Sequence, residues 1–91
     1  MEIRNLITFT KVAETQSLSK AAAALGYAQS TVTMQMQQLE QELGVHLFDR
    51  IGKQISLTHQ GQVFYHIVPV LQIKLIQISV QGILRIFRYN L

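Results

Sequence analysis

Two helical repeats joined by a short glycine-containing turn constrain the fold of this 91-residue chain most strongly. They lie in the segment from Ser17 to Arg50, which reads SLSKAAAALGYAQSTVTMQMQQLEQELGVHLFDR. The alanine-rich residues 20–25 predict one helix, and Gly26 ends it. A second helix is predicted from Gln29 to Leu43, because apolar residues recur there at steps of 4, 3 and 4. These inward positions are Val32, Met36, Leu39 and Leu43.

A further helix precedes this pair. Apolar residues between Ile3 and Thr15 fall largely on one side of a 3.6-residue repeat, which predicts an amphipathic helix that forms the core. Ser17 or Ser19 can then cap the next helix by accepting one of its free backbone N–H groups. The chain therefore predicts three consecutive helices in its first half.

After the third helix the pattern changes from a helical to a strand repeat. Gly44 reads as a glycine cap. Val45 and Leu47, and then Ile55 and Leu57, alternate with polar residues on either side of residues 50–53, Arg-Ile-Gly-Lys. This alternation predicts a short two-stranded hairpin with a glycine-bearing turn.

The last part of the chain predicts a long helix that Thr58 can cap. Apolar residues recur along it at steps of 4, 3, 4 and 3, a seam suited to a partner helix, while Pro69 removes one backbone donor and Gly82 marks the end of the pattern. The seam residues are Phe64, Val68, Leu71, Leu75 and Ile78. We therefore expect a head over residues 1–60 and a linker or dimerisation helix with an irregular end over residues 61–91.

Composition limits the functions open to the chain. It has no cysteine, so it has no disulfide framework, thiolate zinc site or cysteine nucleophile. Polar and charged residues interrupt the apolar run from Val63 to Phe87, so we expect no membrane span there. The first residues lack the pattern of a secretory signal, so we expect a cytoplasmic protein.

The charges are divided unevenly along the chain. Residues 1–49 hold all five acidic residues against three basic ones, whereas residues 50–91 hold five basic residues and no acidic one. A polyanion would therefore meet the second half first. So few charges could equally form an ordinary solvated surface, and the imbalance alone does not decide between these interpretations.

The histidines give little support to an enzyme or a metal site. His46, His59 and His66 have no carboxylate at a spacing that would orient one of them on a serine. His59 and His66 are seven residues apart, whereas two metal ligands on one helix face are three or four apart. We expect no catalysis, no metal and no cofactor.

Two helices around a tight turn, followed by a basic hairpin, are typical of a protein that lays a helix in the DNA major groove. The start of the Gln29 helix offers short polar side chains to base edges and phosphates, and Met34 adds a methyl surface for thymine. Arg50 and Lys53 could neutralise nearby phosphates or reach a minor groove. The candidate readers are Gln29, Ser30, Thr31, Thr33 and Met34. Periodicity alone leaves open that they only form a solvated helix face.

Motifs across the run from Met1 to about Leu71 resemble the N-terminal domain of LysR-type transcriptional regulators. The family pattern is F-x-x-V, S-x-x-x-A-A-x-x-L, S-Q-x-x-[VL]-[ST]-x-Q-[IM]-x-x-L-E-x-x-L-G-x-x-L-F-x-R and L-T-x-x-G, and this chain follows it without an insertion, with Ala28 in place of the serine that opens the third motif. The resemblance implies a mainly α winged helix-turn-helix with a three-helix head and a small β-hairpin wing. It also implies a long C-terminal linker helix that pairs two subunits on double-stranded DNA.

Carried over by position, the family's helix-turn-helix falls on Leu18 to Gln37, and its base-facing positions fall on Gln29, Ser30, Thr33 and Met34. The wing contacts fall on Arg50 and Lys53. The chain departs from the family at Ala28, where a serine cap is usual, and at Met34, where many relatives have a polar reader. The inducer-binding domain that usually follows has no counterpart before Leu91, so we expect no inducer site here.

These departures keep an alternative open. The chain could be a truncated interaction module that pairs with a full-length relative or a membrane surface and binds DNA weakly. The main expectation remains a sequence-specific, homodimeric DNA-binding regulator in the bacterial cytoplasm.

Overall fold

Three helices, a two-stranded hairpin and a long helix follow one another along the chain. A computed structural model describes residues 1–52 and 54–89, without the side chains of residues 78–80, 83, 86, 87 and 89. The elements are α1 (Ile3–Thr15), α2 (Leu18–Leu25), α3 (Gln29–Leu43), β1 (Phe48–Ile51), β2 (Gln54–Leu57) and α4 (His59–Tyr89). This order confirms the predicted mainly α, winged helix-turn-helix architecture.

The core lies where α1 meets α2, α3 and the start of α4. Phe9 of α1 is fully buried at its centre, with the ring centroids of Phe48 and Phe64 at 5.4 Å and 5.1 Å and that of Tyr65 at 6.4 Å. Tilted and edge-on aromatic pairs at such distances add to the free energy gained from burying their area. One residue of α1 therefore joins the wing and α4 to the helical head.

The two helices of the helix-turn-helix begin differently. The Ser17 hydroxyl accepts the Lys20 N–H at 3.1 Å, so α2 begins at Leu18, two residues earlier than the alanine run alone predicts. Gly26 ends α2 with a φ of 73°, a left-handed conformation that glycine adopts readily. Ala28 precedes α3 and, as predicted, supplies no side-chain cap. The start of α3 therefore remains open to an outside acceptor.

The wing begins later than the sequence pattern predicts. Arg50 and Ile51 lie in β1, and the turn is formed around Gly52, whose φ is 63°. Val45 and Leu47 were predicted in the first strand but precede β1, because the Leu47 N–H is bound by the Glu40 carboxylate instead of a strand partner. The antiparallel register places Phe48 opposite Leu57 and Arg50 opposite Ile55.

The first half of α4 packs on the chain's own head. Thr58 caps α4, as predicted, by accepting the Gly61 N–H at 3.0 Å. Phe64 and Val68 of the predicted seam are buried in the core, and Leu71 and Leu75 are partly buried against it. The 4-3 spacing thus marks an apolar stripe, but this stripe faces the head because α1 and the wing supply the nearest apolar surface.

Two other features of α4 bear on the predictions. The helix continues past Gly82 to Tyr89, where the sequence pattern predicts an irregular end. A single glycine lowers helix stability by only about 1 kcal/mol, so it does not have to end a helix. The side chain of Ile78, the last predicted seam residue, lies outside the described part of the chain.

Candidate nucleic-acid interface

The outward face of α3 carries the predicted readers. Gln29, Ser30 and Met34 are exposed, and Thr31 and Thr33 are half-buried, while Val32 and Met36 point into the core. This division follows from the helical repeat, which turns the readers away from the apolar positions. The structure therefore brings the five predicted readers onto one accessible region at the first two turns of α3.

The backbone at the start of α3 favours an anion. The first N–H groups of a helix have no intrahelical partner, and the helix dipole places partial positive charge there. Neither the N-cap residue Ala28 nor the first turn supplies an acidic or capping side chain. A phosphate oxygen would find both hydrogen-bond donors and a favourable potential at this end of α3.

Arg50 lies in β1 of the wing and borders a cleft beside the start of α3. It stands opposite the buried Ile55 in the hairpin, and directly opposed residues share one face of a sheet. Its side chain lines a cleft of about 270 Å³ together with Gln29. The other residues lining this cleft are Ser17, Leu18, Ser19, Gly52, Gln54 and Ile55. The wing cation and the first reader therefore border the same surface depression.

Arg50 is available for an external anion. Within the described residues, Arg4 pairs with Glu2 at 2.9 Å and Lys11 pairs with Glu14 at 3.1 Å, whereas Arg50 has no acidic partner within 4.0 Å. The same is true of Lys20, which is exposed in the first turn of α2. Lys53, the second predicted wing contact, lies outside the described residues.

The three histidines do not come together in a metal-ligating cluster within the described residues. His46, His59 and His66 are exposed, and the Nδ1 atom of His46 lies 3.8 Å from the Glu40 carboxylate. Across residues 1–52 and 54–89 there is no cluster of three or more potential metal-ligating side chains. None of the helices within residues 1–52 and 54–89 combines the length and the mean hydropathy that a membrane-spanning segment requires.

Two features of this region could not be predicted from the sequence pattern. The Glu40 carboxylate accepts the Leu47 N–H at 2.7 Å across seven residues, a contact that helical periodicity cannot reveal. Gln35 is buried in α3, where a polar residue interrupts the apolar spacing. Only the motif L-E-x-x-L-G could have drawn attention to Glu40, and it gives no indication of the partner.

Comparison with known proteins identifies the family profile that this chain matches. Residues 3–62 match the profile described as "Bacterial regulatory helix-turn-helix protein, lysR family". The HTH-type transcriptional regulator YtlI of Bacillus subtilis (strain 168) is 49% identical over 65 residues, which cover 71% of this chain and 21% of that protein. The chain thus spans about a fifth of the length of this curated relative.

Solved structures share the fold over most of the chain. The crystal structure of a BenM DBD/benA site 1 DNA complex has a TM-score of 0.76 and 36% sequence identity, and covers 90% of this chain and 95% of that chain. The crystal structure of a CbnR DBD–DNA complex has a TM-score of 0.74 and 32% identity, and covers 100% of both chains. Both similar structures contain DNA.

Proposed function

The chain belongs to the lysR family of bacterial regulatory helix-turn-helix proteins, and from this membership we propose that it is a sequence-specific DNA-binding domain of a transcriptional regulator. In this proposal residues 1–60 read DNA, residues 61–91 pair two subunits, and the protein acts on bacterial DNA in the cytoplasm. Its role is binding rather than catalysis, in keeping with relatives named as transcriptional regulators.

One arrangement carries the proposal. The uncapped start of α3 and the wing residue Arg50, which has no acidic partner among the described residues, border one cleft beside Gln29. Helix N–H groups and an arginine suit phosphate oxygens on the DNA backbone, and they fix the register of a helix in the groove. An exposed helix face that served only for solubility would not require these two anion-binding features beside each other.

The readers supply chemistry for base edges. Gln29 can donate to and accept from adenine, and the hydroxyls of Ser30, Thr31 and Thr33 can serve bases or phosphates. Met34 is 51% exposed and offers an apolar contact for a thymine methyl group. Since α3 contains no lysine or arginine, most of the cationic contribution has to come from outside this helix.

Salt dependence tests this assignment directly. The logarithm of the binding constant should fall linearly with the logarithm of salt concentration, with a slope of about −0.9 per phosphate contacted. Arg50→Ala should make this slope shallower by about one contact, because a phosphate partner is lost. Arg4→Ala, which removes an exposed arginine of α1 that pairs with Glu2, is the matched control and should leave the slope nearly unchanged. A flat slope for the unmodified protein would overturn the proposed function.

We also propose that two copies pair through α4. Of the predicted seam, Leu71 and Leu75 lie partly exposed at the edge of the core, whereas Phe64 and Val68 serve the chain's own head. Beside them runs an exposed apolar row at helical spacing, formed by Val63, Ile67, Val70 and Ile73. An apolar row of this length on a small domain marks an interaction surface. Pairing would place two recognition helices on half-sites about one helical turn apart, on the order of 10 base pairs.

A further inference from the structure

The backbone of His46 and Leu47 is held from two sides. On one side, the Glu40 carboxylate of α3 accepts the Leu47 N–H at 2.7 Å. On the other, the Thr58 N–H donates to the Leu47 carbonyl at 3.0 Å and the Thr58 hydroxyl donates to the His46 carbonyl at 2.6 Å. This two-residue segment, which leads directly into β1, is therefore bound both to the recognition helix and to the end of the wing.

The same segment also fixes the start of α4. The Thr58 hydroxyl accepts the Gly61 N–H at 3.0 Å, so one side chain caps α4 and binds the segment before β1. Gly61 lies so close to the Leu47 carbonyl that an added Cβ would overlap it. Recognition helix, wing and α4 consequently share one junction at Leu47, which is fully buried.

Glu40 is poorly suited to contact DNA itself. Its side chain is 24% exposed and carries a negative charge that phosphates would repel. It lies in the C-terminal half of α3, whereas the readers lie in the first two turns of that helix. Its backbone carbonyl accepts hydrogen bonds from the Gly44 N–H at 2.8 Å and the Val45 N–H at 3.3 Å, and its carboxylate accepts one from the Leu47 N–H, two residues beyond Val45.

We infer that Glu40 is a positioning residue for DNA recognition: by binding the Leu47 N–H, it sets the distance between the recognition helix and the wing that carries Arg50. This inference rests on the proposed function, because it assumes that α3 and Arg50 contact the same duplex. Without this hydrogen bond the wing would keep its fold and its charge, but Arg50 would contact the phosphate in a smaller fraction of the bound molecules.

The test compares two substitutions at Glu40 for DNA binding as a function of salt. Glu40→Gln removes the charge but keeps an oxygen that can accept the Leu47 N–H, whereas Glu40→Ala removes both. We expect Glu40→Gln to retain the salt slope of the unmodified protein. Glu40→Ala should lose about one phosphate contact. When the salt concentration rises fourfold, the fold-decrease in its binding constant should therefore be about 3.5 times smaller than that of the unmodified protein.

A double substitution separates positioning from electrostatics. If Glu40 acts through Arg50, then Glu40→Ala should have no further effect on the slope in an Arg50→Ala background. Glu42→Ala is the matched charge control, because Glu42 lies in the same helix but its carboxylate pairs with the N-terminal ammonium at 3.1 Å instead of with the Leu47 N–H. Removing the Glu42 charge should leave the slope unchanged.

A second pair of variants approaches the junction from Thr58 and covers the case in which Glu40→Ala fails to fold. Thr58→Ser keeps the hydroxyl and should bind DNA with the salt slope of the unmodified protein. Thr58→Val removes the hydroxyl, so its salt slope should be shallower because the wing no longer contributes its phosphate contact. Hydrogen exchange gives a readout without DNA: the Leu47 amide should exchange faster in Glu40→Ala than in Glu40→Gln, while the buried Leu39 amide should be unaffected.

The outcomes distinguish the two claims. If the unmodified protein binds no DNA, the proposed function fails and the inference fails with it. If the protein binds DNA and Glu40→Ala keeps the full salt slope, or if Glu40→Ala and Glu40→Gln tighten binding equally, the inference alone is overturned. The inference is supported if the salt slope becomes shallower in Glu40→Ala and Thr58→Val and stays unchanged in Glu40→Gln and Thr58→Ser.

Discussion

Gly61 lies where α4 passes close to the backbone of Leu47. The close approach lets the first turn of α4 join the wing, and it leaves no space for a side chain at this position. The Gly61 N–H also donates to the Thr58 hydroxyl that caps α4. The requirement for glycine here is therefore one of space, in contrast to Gly26 and Gly44, where a positive φ favours it.

The first prediction concerns this position. Gly61→Ala should destabilise the fold by roughly 1–3 kcal/mol, because the new Cβ would overlap the Leu47 carbonyl and force α4 away from the wing. Gly82→Ala is the matched control in the same helix, since among the described residues no atom outside the surrounding helix backbone lies within 4 Å of its added Cβ. It should stabilise the fold by about 0.5–1 kcal/mol. Urea unfolding measures both free energies, and equal effects of the two substitutions would contradict this explanation.

At the scale of elements, α3 differs from α2 in how it begins. Ser17 caps α2 with its hydroxyl, whereas Ala28 leaves α3 without a side-chain acceptor. The φ of −69° and ψ of 149° at Ala28 are those of an extended N-cap residue. The backbone is thus already arranged for a cap, and only the side chain is missing.

Ala28→Ser should therefore stabilise the free protein by about 0.5–2 kcal/mol, since a hydroxyl would accept an N–H in the first turn of α3. The control is Ala24→Ser, at an exposed position inside α2, where serine is a weaker helix former than alanine and should cost at most about 0.7 kcal/mol. Thermal unfolding of the two variants provides the comparison. A loss of stability in Ala28→Ser would show that α3 does not begin at Gln29.

The helices could be predicted from the sequence because each has a local signal. Apolar spacing fixed the bounds of α1 and α3, Gly26 and Gly44 marked helix ends, and Thr58 marked the start of α4. Periodicity also gave the exposed readers on α3, since it assigns the remaining positions to the solvent side. Their contacts with DNA stay a prediction.

Contacts between elements could not be predicted in the same way. Leu47 continues the alternation of a strand, yet its N–H binds Glu40, which no local pattern indicates. The 4-3 spacing at Phe64 and Val68 is the same for a helix that meets a partner and for one that meets its own head. Which surface they cover depends on Phe9, more than 50 residues away in sequence.

The whole molecule is elongated, with principal extents of 57 × 27 × 20 Å. Its long axis reflects α4, whose 31 residues span about 46 Å at 1.5 Å per residue. The head cannot cover a helix of that length. Exposed apolar residues such as Ile67, Val70 and Ile73 are therefore available to a second copy.

A substitution on this row tests the proposed pairing. Ile67→Lys should produce monomers, because a dimer would have to bury an unpaired charge, and it should weaken binding to paired half-sites more than to a single half-site. Ile7→Lys is a matched control: Ile7 on α1 is 46% exposed and Ile67 is 45% exposed. Sedimentation velocity reports the oligomeric state. An unchanged dimer in Ile67→Lys would exclude this row as the pairing surface.

The central claim is that the first turns of α3 read base edges, and selection of binding sites from random duplexes tests it most directly. The unmodified protein should recover an inverted repeat, and Gln29→Ala should relax the preference at one base position per half-site, by about 1–3 kcal/mol. Gln41→Ala, at an exposed position near the other end of α3, should recover the unmodified repeat. Recovery of the same repeat with the same preferences by Gln29→Ala, or recovery of no common sequence by the unmodified protein, would contradict this account.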